Sequence, residues 1–105
     1  MYRILIVDDE PPIVNGLYEM LRDVFDEEAD LYRAYTSQEA LQWLTRTKID
    51  IVLTDIRMPG MDGLELQRRI REQWPRCKII FLTGFDQFDY VQTAMRHGGV
   101  DYILK

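Results

Sequence analysis

Residues 4–12 read Ile4-Leu5-Ile6-Val7-Asp8-Asp9-Glu10-Pro11-Pro12. The four apolar residues form an unbroken, mostly β-branched run, which is typical of a strand that is buried on both faces. The run ends at three acidic residues, and the two prolines can occupy the first turn of a helix because no backbone N–H is needed there. The apolar stripe predicted for that helix consists of Ile13, Leu17, Leu21 and Val24, at spacings of four, four and three.

The same alternation of an apolar run and a helical pattern continues along the chain. Further strands are predicted at residues 29–35, 51–53, 79–82 and 100–104. Further helices are predicted after a capping box of Thr36 and Glu39, at residues 64–74 before Pro75, and at residues 86–97. This order predicts a doubly wound α/β fold, with a five-stranded parallel sheet in the flavodoxin-like order 2-1-3-4-5. No helix follows the fifth strand, so we expect the first helix to provide most of the cover of one sheet face.

The composition describes one ordered globular domain that spans residues 1–105. Apolar residues make up 47% and charged residues 30% of the chain, and 13 basic against 18 acidic residues give a net charge of −5. An acidic domain is a poor binder of nucleic-acid phosphates. No apolar run is long enough for a membrane span, and we expect no signal peptide because the chain opens directly on a strand pattern. Cys77 is the only cysteine, so an internal disulfide is excluded and a cytoplasmic setting is expected.

Polar residues follow the predicted strands at the point where each strand ends. Asp8 and Asp9 follow the first strand, Asp55 the third, Thr83 the fourth and Lys105 the fifth. The carboxyl ends of parallel strands form a crevice where the strand order reverses, so the three carboxylates should converge there. Clustered carboxylates without His or Cys favour a divalent cation such as Mg²⁺ or Mn²⁺. A hydroxyl and an ammonium opposite them suit a phosphoryl group, which a carboxylate can accept as an acyl phosphate.

Taken together, these motifs resemble the CheY-like receiver domains of two-component response regulators. The resemblance rests on Asp8-Asp9, on Asp55 ahead of the turn 58–63 (Met-Pro-Gly-Met-Asp-Gly), on Thr83-Gly84 and on the ending Tyr102-Ile103-Leu104-Lys105, and it covers essentially the whole chain. It implies that Asp55 accepts a phosphoryl group from a sensor histidine kinase. It also implies that Asp9, Asp55 and the backbone carbonyl of Arg57 bind Mg²⁺ directly, while Asp8 acts more through water.

The resemblance also implies a switch. Thr83 and Lys105 would hold the phosphoryl oxygens, and Tyr102 would turn inward as the Thr83 hydroxyl moves toward the phosphate. Residues 84–90 and 98–105 are similar to receivers attached to AraC-type helix-turn-helix domains, which implies transcription regulation by an output domain outside this chain and a homodimer as a further partner. Receivers usually continue with Pro and a fifth helix, so we interpret residues 1–105 as a receiver truncated after its fifth strand, without nucleic-acid or membrane contact of its own.

Three further residues are each predicted to have a specific role. Arg57 and Phe85 stand two positions after Asp55 and Thr83, and as bulky side chains they should shield the phosphate from water and slow its hydrolysis. Asp62 is expected to cap the third helix rather than to bind metal.

Three other functions compete with a phosphorylated switch. A phosphatase of the haloacid-dehalogenase type needs a general acid two residues after its nucleophile, where this chain has Arg57, and a cap domain, which is absent. A nucleotide or flavin module needs a glycine-rich phosphate loop, which the sequence lacks. A degenerate, binding-only receiver would lack key residue types, and all of them are present. We therefore expect a signalling domain that is no enzyme beyond catalysing its own phosphorylation and dephosphorylation.

Overall fold

The computed structural model describes residues 1–83 and 100–104; for Thr83 and for residues 100–104 it describes the backbone. The elements are β1 (Tyr2–Val7), α1 (Pro11–Phe25), a short 3-10 turn (Asp26–Glu28), β2 (Ala29–Ala34), α2 (Ser37–Arg46), β3 (Ile51–Asp55), α3 (Gly63–Gln73), β4 (Lys78–Thr83) and β5 (Val100–Leu104). The helix predicted at residues 86–97 and the placement of Lys105 lie outside these described residues.

The strands form one parallel sheet. β1 pairs with β2 on one side and with β3 on the other, and β4 pairs with β3. The predicted parallel α/β architecture and the order of the first four strands, 2-1-3-4, are therefore confirmed. The backbone of β5 runs parallel to β4, which places β5 at the sheet edge opposite β2.

Successive residues of a strand point to opposite faces of the sheet, and each face has its own core under helices. On one face, buried strand residues such as Leu5 and Val52 pack with residues of α2 and α3, including Leu44 and Leu66. On the other face, α1 is the described helix that packs on the sheet. Its core consists of Ile4, Ile6, Val14, Leu53 and Leu82, with partly buried side chains such as Leu17 and Leu21 around them.

The apolar stripe of α1 differs from the predicted one at both ends. Val24 is 69% exposed, and Phe25 packs against the core in its place. Near the start of the helix, Val14 is fully buried in the core, whereas Ile13, the predicted first residue of the stripe, is only partly buried and does not belong to that core. The stripe therefore runs through Val14, Leu17, Leu21 and Phe25, because the face that meets the sheet continues at a spacing of four and leaves Val24 on the flank.

The helix starts follow the predicted signals. Pro11 and Pro12 occupy the first two positions of α1. At α2, the hydroxyl of Thr36 accepts the N–H of Glu39 at 3.1 Å, while the Glu39 carboxylate accepts the N–H of Tyr35 at 3.2 Å. The capping box is thus half formed, with its return bond shifted by one residue.

Among residues 1–83 and 100–104, no helix combines the length and the apolar character that spanning a membrane requires.

The lone cysteine of the chain, Cys77, is partly buried. This burial, and secondarily the charge of Asp50, raises the pKa of the Cys77 thiol to about 11. Cys77 is therefore a thiol rather than a reactive thiolate near neutral pH.

The two valines of α1 test the corrected stripe, because the same substitution in one helix changes helix propensity equally. We expect Val14→Ala to lower the free energy of unfolding by about 2 kcal/mol, since it removes two buried methyl groups. Val24→Ala should change it by less than about 0.5 kcal/mol. Urea unfolding followed by circular dichroism measures both, and equal losses in the two variants would contradict the assignment of the buried face.

Candidate functional site

Four carboxylates meet at the carboxyl end of β1 and β3. One oxygen from each of Asp8, Asp9, Glu10 and Asp55 lies within 4.8 Å of the others. The strand register explains this arrangement: Val7 is paired with Thr54, so the residues that follow them, Asp8 and Asp55, leave the sheet side by side. The sequence predicted that Asp8, Asp9 and Asp55 would converge, and the structure brings them together.

The cluster has a buried half and an exposed half. Asp8 is 0% and Asp55 is 3% exposed, whereas Asp9 and Glu10 face solvent. Backbone N–H groups orient the buried pair: Glu10 donates to Oδ1 of Asp8 at 3.0 Å, and Ile56 donates to Oδ1 of Asp55 at 2.8 Å. Buried carboxylates this close repel each other when ionised, and a cation between them would offset that repulsion.

The donor set fits Mg²⁺. Its oxygens are all from carboxylates, which hard divalent cations prefer. The four oxygens all lie within 4.8 Å of one another, so the group is compact enough to hold one cation, part of the carboxylates directly and the rest through water.

The start of α3 lies directly against the end of β3. The N–H of Gly63 donates to the carbonyl oxygen of Ile56 at 2.7 Å. A Cβ atom at position 63 would overlap the carbonyl oxygen of Asp55 and would lie 2.8 Å from Cα of Ile56. Only glycine permits this approach, so Gly63 helps to set the position of the backbone that carries Asp55.

The loop between β3 and α3 is anchored from two sides. Ser37, at the start of α2, is fully buried and its hydroxyl donates to the carbonyl oxygen of Met61 at 2.7 Å. Asp62 caps α3, as predicted, because its Oδ1 accepts the N–H of Glu65 at 2.9 Å. The loop that follows Asp55 is therefore held to the scaffold at its far end.

The remaining predicted site residues are placed only in part. The Arg57 side chain is exposed, two residues beyond Asp55. The backbone of Thr83 ends β4, the strand that lies beside β3, and is paired with Leu104 of β5. The side chains of Thr83 and Tyr102, together with Phe85 and Lys105, lie outside what the structure describes.

Two contributors were not singled out from the sequence. Glu10 joins the carboxylate cluster, and its only sequence signal was its place directly after Asp9. Ser37 is the first residue of α2, and nothing in its sequence context indicates that its hydroxyl reaches a loop 24 residues away.

Comparison with known proteins defines the class. The family model described as the response regulator receiver domain matches residues 4–105. The chain belongs to this family, the receiver domains of two-component response regulators.

Individual relatives agree with this class. The chain is 36% identical over 105 residues to the transcriptional regulatory protein YesN of Bacillus subtilis and 32% identical to the transcriptional regulatory protein HptR of Staphylococcus aureus. The alignments cover all of this chain but only 28% of YesN and 41% of HptR. The chain thus spans less than half the length of these relatives.

Solved structures show the same fold. A response regulator receiver domain protein from Clostridium thermocellum superposes with a TM-score of 0.89 at 31% identity, covering 100% of this chain and 82% of the other. A two-component transcriptional regulator AraC from Clostridium phytofermentans superposes with a TM-score of 0.88 at 32% identity, covering 100% of this chain and 81% of the other.

Two glycines test the close approach of α3 to the site. We expect Gly63→Ala to destabilise the protein by roughly 1–3 kcal/mol, because the new methyl group forces backbone apart at Asp55. Gly16→Ala is the matched control: nothing lies within 4 Å of its Cβ position in α1, so it should stabilise by roughly 0.5–1 kcal/mol. Thermal unfolding compares the two variants. A Gly63→Ala protein as stable as Gly16→Ala would show that position 63 does not require glycine.

Proposed function

We propose that this domain is the phosphorylated switch of a response regulator and that Asp55 is the residue that accepts the phosphoryl group. The observation that carries the proposal is the buried Asp55 carboxylate at the end of β3, inside the four-carboxylate cluster. A carboxylate oxygen of Asp55 attacks the phosphorus of a phosphohistidine on a sensor kinase. The phosphorus–nitrogen bond breaks, the histidine leaves, and Asp55 carries an acyl phosphate.

Mg²⁺ is the cofactor we propose for this step, with Mn²⁺ as a substitute. Asp9, Asp55 and the backbone carbonyl of Arg57 would bind the ion directly, and Asp8 would act through water. When bound, the cation offsets the repulsion between the incoming phosphoryl oxygens and the carboxylates. The all-carboxylate donor set and its compact spacing support this assignment.

Thr83, Lys105 and Tyr102 are the proposed readout of phosphorylation. Thr83 and Lys105 would hold the phosphoryl oxygens, and Tyr102 would turn inward when the Thr83 hydroxyl moves. The pairing of β4 with β3 supports the proposal, because it places the backbone of Thr83, the last residue of β4, beside the strand that carries Asp55. A phosphoryl group adds about −1.5 to −2 charges and strong acceptor oxygens, which would drive these shifts.

The partners we propose are a sensor histidine kinase, an output domain and a second copy of the receiver. The names of the relatives support a DNA-binding output of the helix-turn-helix type, because YesN and HptR are transcriptional regulators much longer than this chain. The receiver itself, with its net charge of −5, would not contact nucleic acid. It would act in the cytoplasm and would catalyse only its own phosphorylation and dephosphorylation.

Intact-protein mass spectrometry after incubation with acetyl phosphate tests the proposal. We expect the wild type to gain the mass of one phosphoryl group only when Mg²⁺ is present, and Asp55→Asn to gain none. Asp62→Asn is the matched control: asparagine also caps helices, so this variant should be phosphorylated like the wild type. A phosphorylated Asp55→Asn protein would refute Asp55 as the acceptor, and an unphosphorylated wild type would refute the switch.

The lifetime of the phosphate tests the two shielding residues. We expect Phe85→Ala and Arg57→Ala each to speed the loss of the phosphoryl group, because a smaller side chain opens the path of the attacking water. The decay of the phosphorylated mass after removal of acetyl phosphate gives the rate. An unchanged decay in Phe85→Ala would end the shielding hypothesis for that residue.

A further inference from the structure

Glu10 is a fourth carboxylate at the site, beyond the three that the proposed function uses. One of its carboxylate oxygens lies within 4.8 Å of ligand oxygens of Asp8, Asp9 and Asp55. We propose that Glu10 is a positioning residue that holds the bound Mg²⁺ through a metal-bound water. This inference rests on the proposed function, since it concerns the same cation.

The backbone of Glu10 is fixed on both sides. Its N–H donates to Oδ1 of Asp8 at 3.0 Å. Its carbonyl oxygen accepts the N–H groups of Ile13 at 3.0 Å and of Val14 at 3.3 Å. The side chain therefore leaves an ordered backbone, so only its own rotamer freedom is lost when its carboxylate is held near the cation.

The Glu10 side chain does not cap the helix that it precedes. Glu10 is the N-cap residue of α1, yet its side chain makes no capping hydrogen bond. The next two residues are prolines, which have no N–H to be capped, and the following two N–H groups are bonded to the carbonyl of Glu10 itself. The carboxylate is thus available for another partner at the place where it is observed, beside Asp8 and Asp55.

Electrostatics at the helix end favour a carboxylate in this position. The N-terminus of α1 carries the positive end of the helix dipole, and a cation in the neighbouring cluster would be repelled by it. Glu10 is the N-cap residue of α1, so its negative charge lies at this helix end and offsets that repulsion. The exposed position of Glu10 places its carboxylate on the solvent side of the cluster, where a Mg²⁺ ion keeps its waters.

The coordination chemistry of Mg²⁺ gives the size of the effect. Mg²⁺ usually binds one or two carboxylates directly and retains several waters, so a fourth carboxylate contributes through a water that donates to it. Loss of such outer contacts typically weakens metal binding by roughly 10–100-fold. Because Glu10 is exposed, we expect the lower end, about tenfold.

Titration of the chain with Mg²⁺ alone, followed by nitrogen–proton correlation NMR, tests the inference without any phosphorylation step. The amide of Ile56 is a suitable reporter because it donates to Asp55. We expect Glu10→Gln to bind Mg²⁺ about tenfold more weakly than the wild type. Glu19→Gln, the same change at an exposed position farther along α1, should bind like the wild type. Unfolding temperatures without Mg²⁺ verify that the variants are folded.

Two further measurements separate the ways in which the inference could fail. Asp9→Asn should lose Mg²⁺ binding; if it binds as the wild type does, the cation site of the proposed function is wrong and this inference falls with it. If Asp9→Asn loses binding while Glu10→Gln stays within twofold of the wild type, only the role of Glu10 is refuted. The weaker Mg²⁺ binding of Glu10→Gln should also persist in about 1 M salt, where the Debye length is about 3 Å and long-range attraction is screened. A loss that vanishes there would show long-range attraction instead of a water-mediated contact.

Discussion

The parallel pairing of β1 with β3 is the constraint on which the rest of the site depends. This register places Val7 opposite Thr54, so that Asp8 and Asp55, 47 positions apart in the sequence, leave the sheet at the same edge. Hydrophobic packing on both faces stabilises the register, since a slip by one residue would exchange the two faces of each strand. The convergence of charge is therefore stabilised by apolar burial elsewhere, and not by any attraction among the carboxylates themselves.

Three local devices keep the backbone around these carboxylates in place. The two prolines at the start of α1 remove N–H groups that would otherwise need partners. Gly63 lets α3 begin against the carbonyl oxygen of Asp55. The Ser37 hydroxyl ties the loop between β3 and α3 to α2. Each device acts on the backbone next to the acidic residues rather than on their carboxylates.

The same scaffold contains one polar residue that does not fit its surroundings. Gln67 lies on α3 and is only 5% exposed, and its Nε2 makes no hydrogen bond with the residues that the structure describes. A buried amide of this kind costs stability relative to an apolar side chain. Gln67 therefore weakens the buried face of α3 relative to an apolar residue at the same position.

For the residues that the structure describes, the sequence by itself determined the order of strands and helices, the parallel sheet, the helix caps at Thr36 and Asp62, and the convergence of Asp8, Asp9 and Asp55. These features depend on local patterns and on the rule that parallel strands end at a common edge. Only the tertiary structure decided that Phe25 and not Val24 completes the buried face of α1, that Ser37 reaches Met61, and that Glu10 joins the carboxylate cluster. Periodicity cannot decide such matters, because the direction of a helix flank and a contact between distant loops are set by how the helices pack on the sheet.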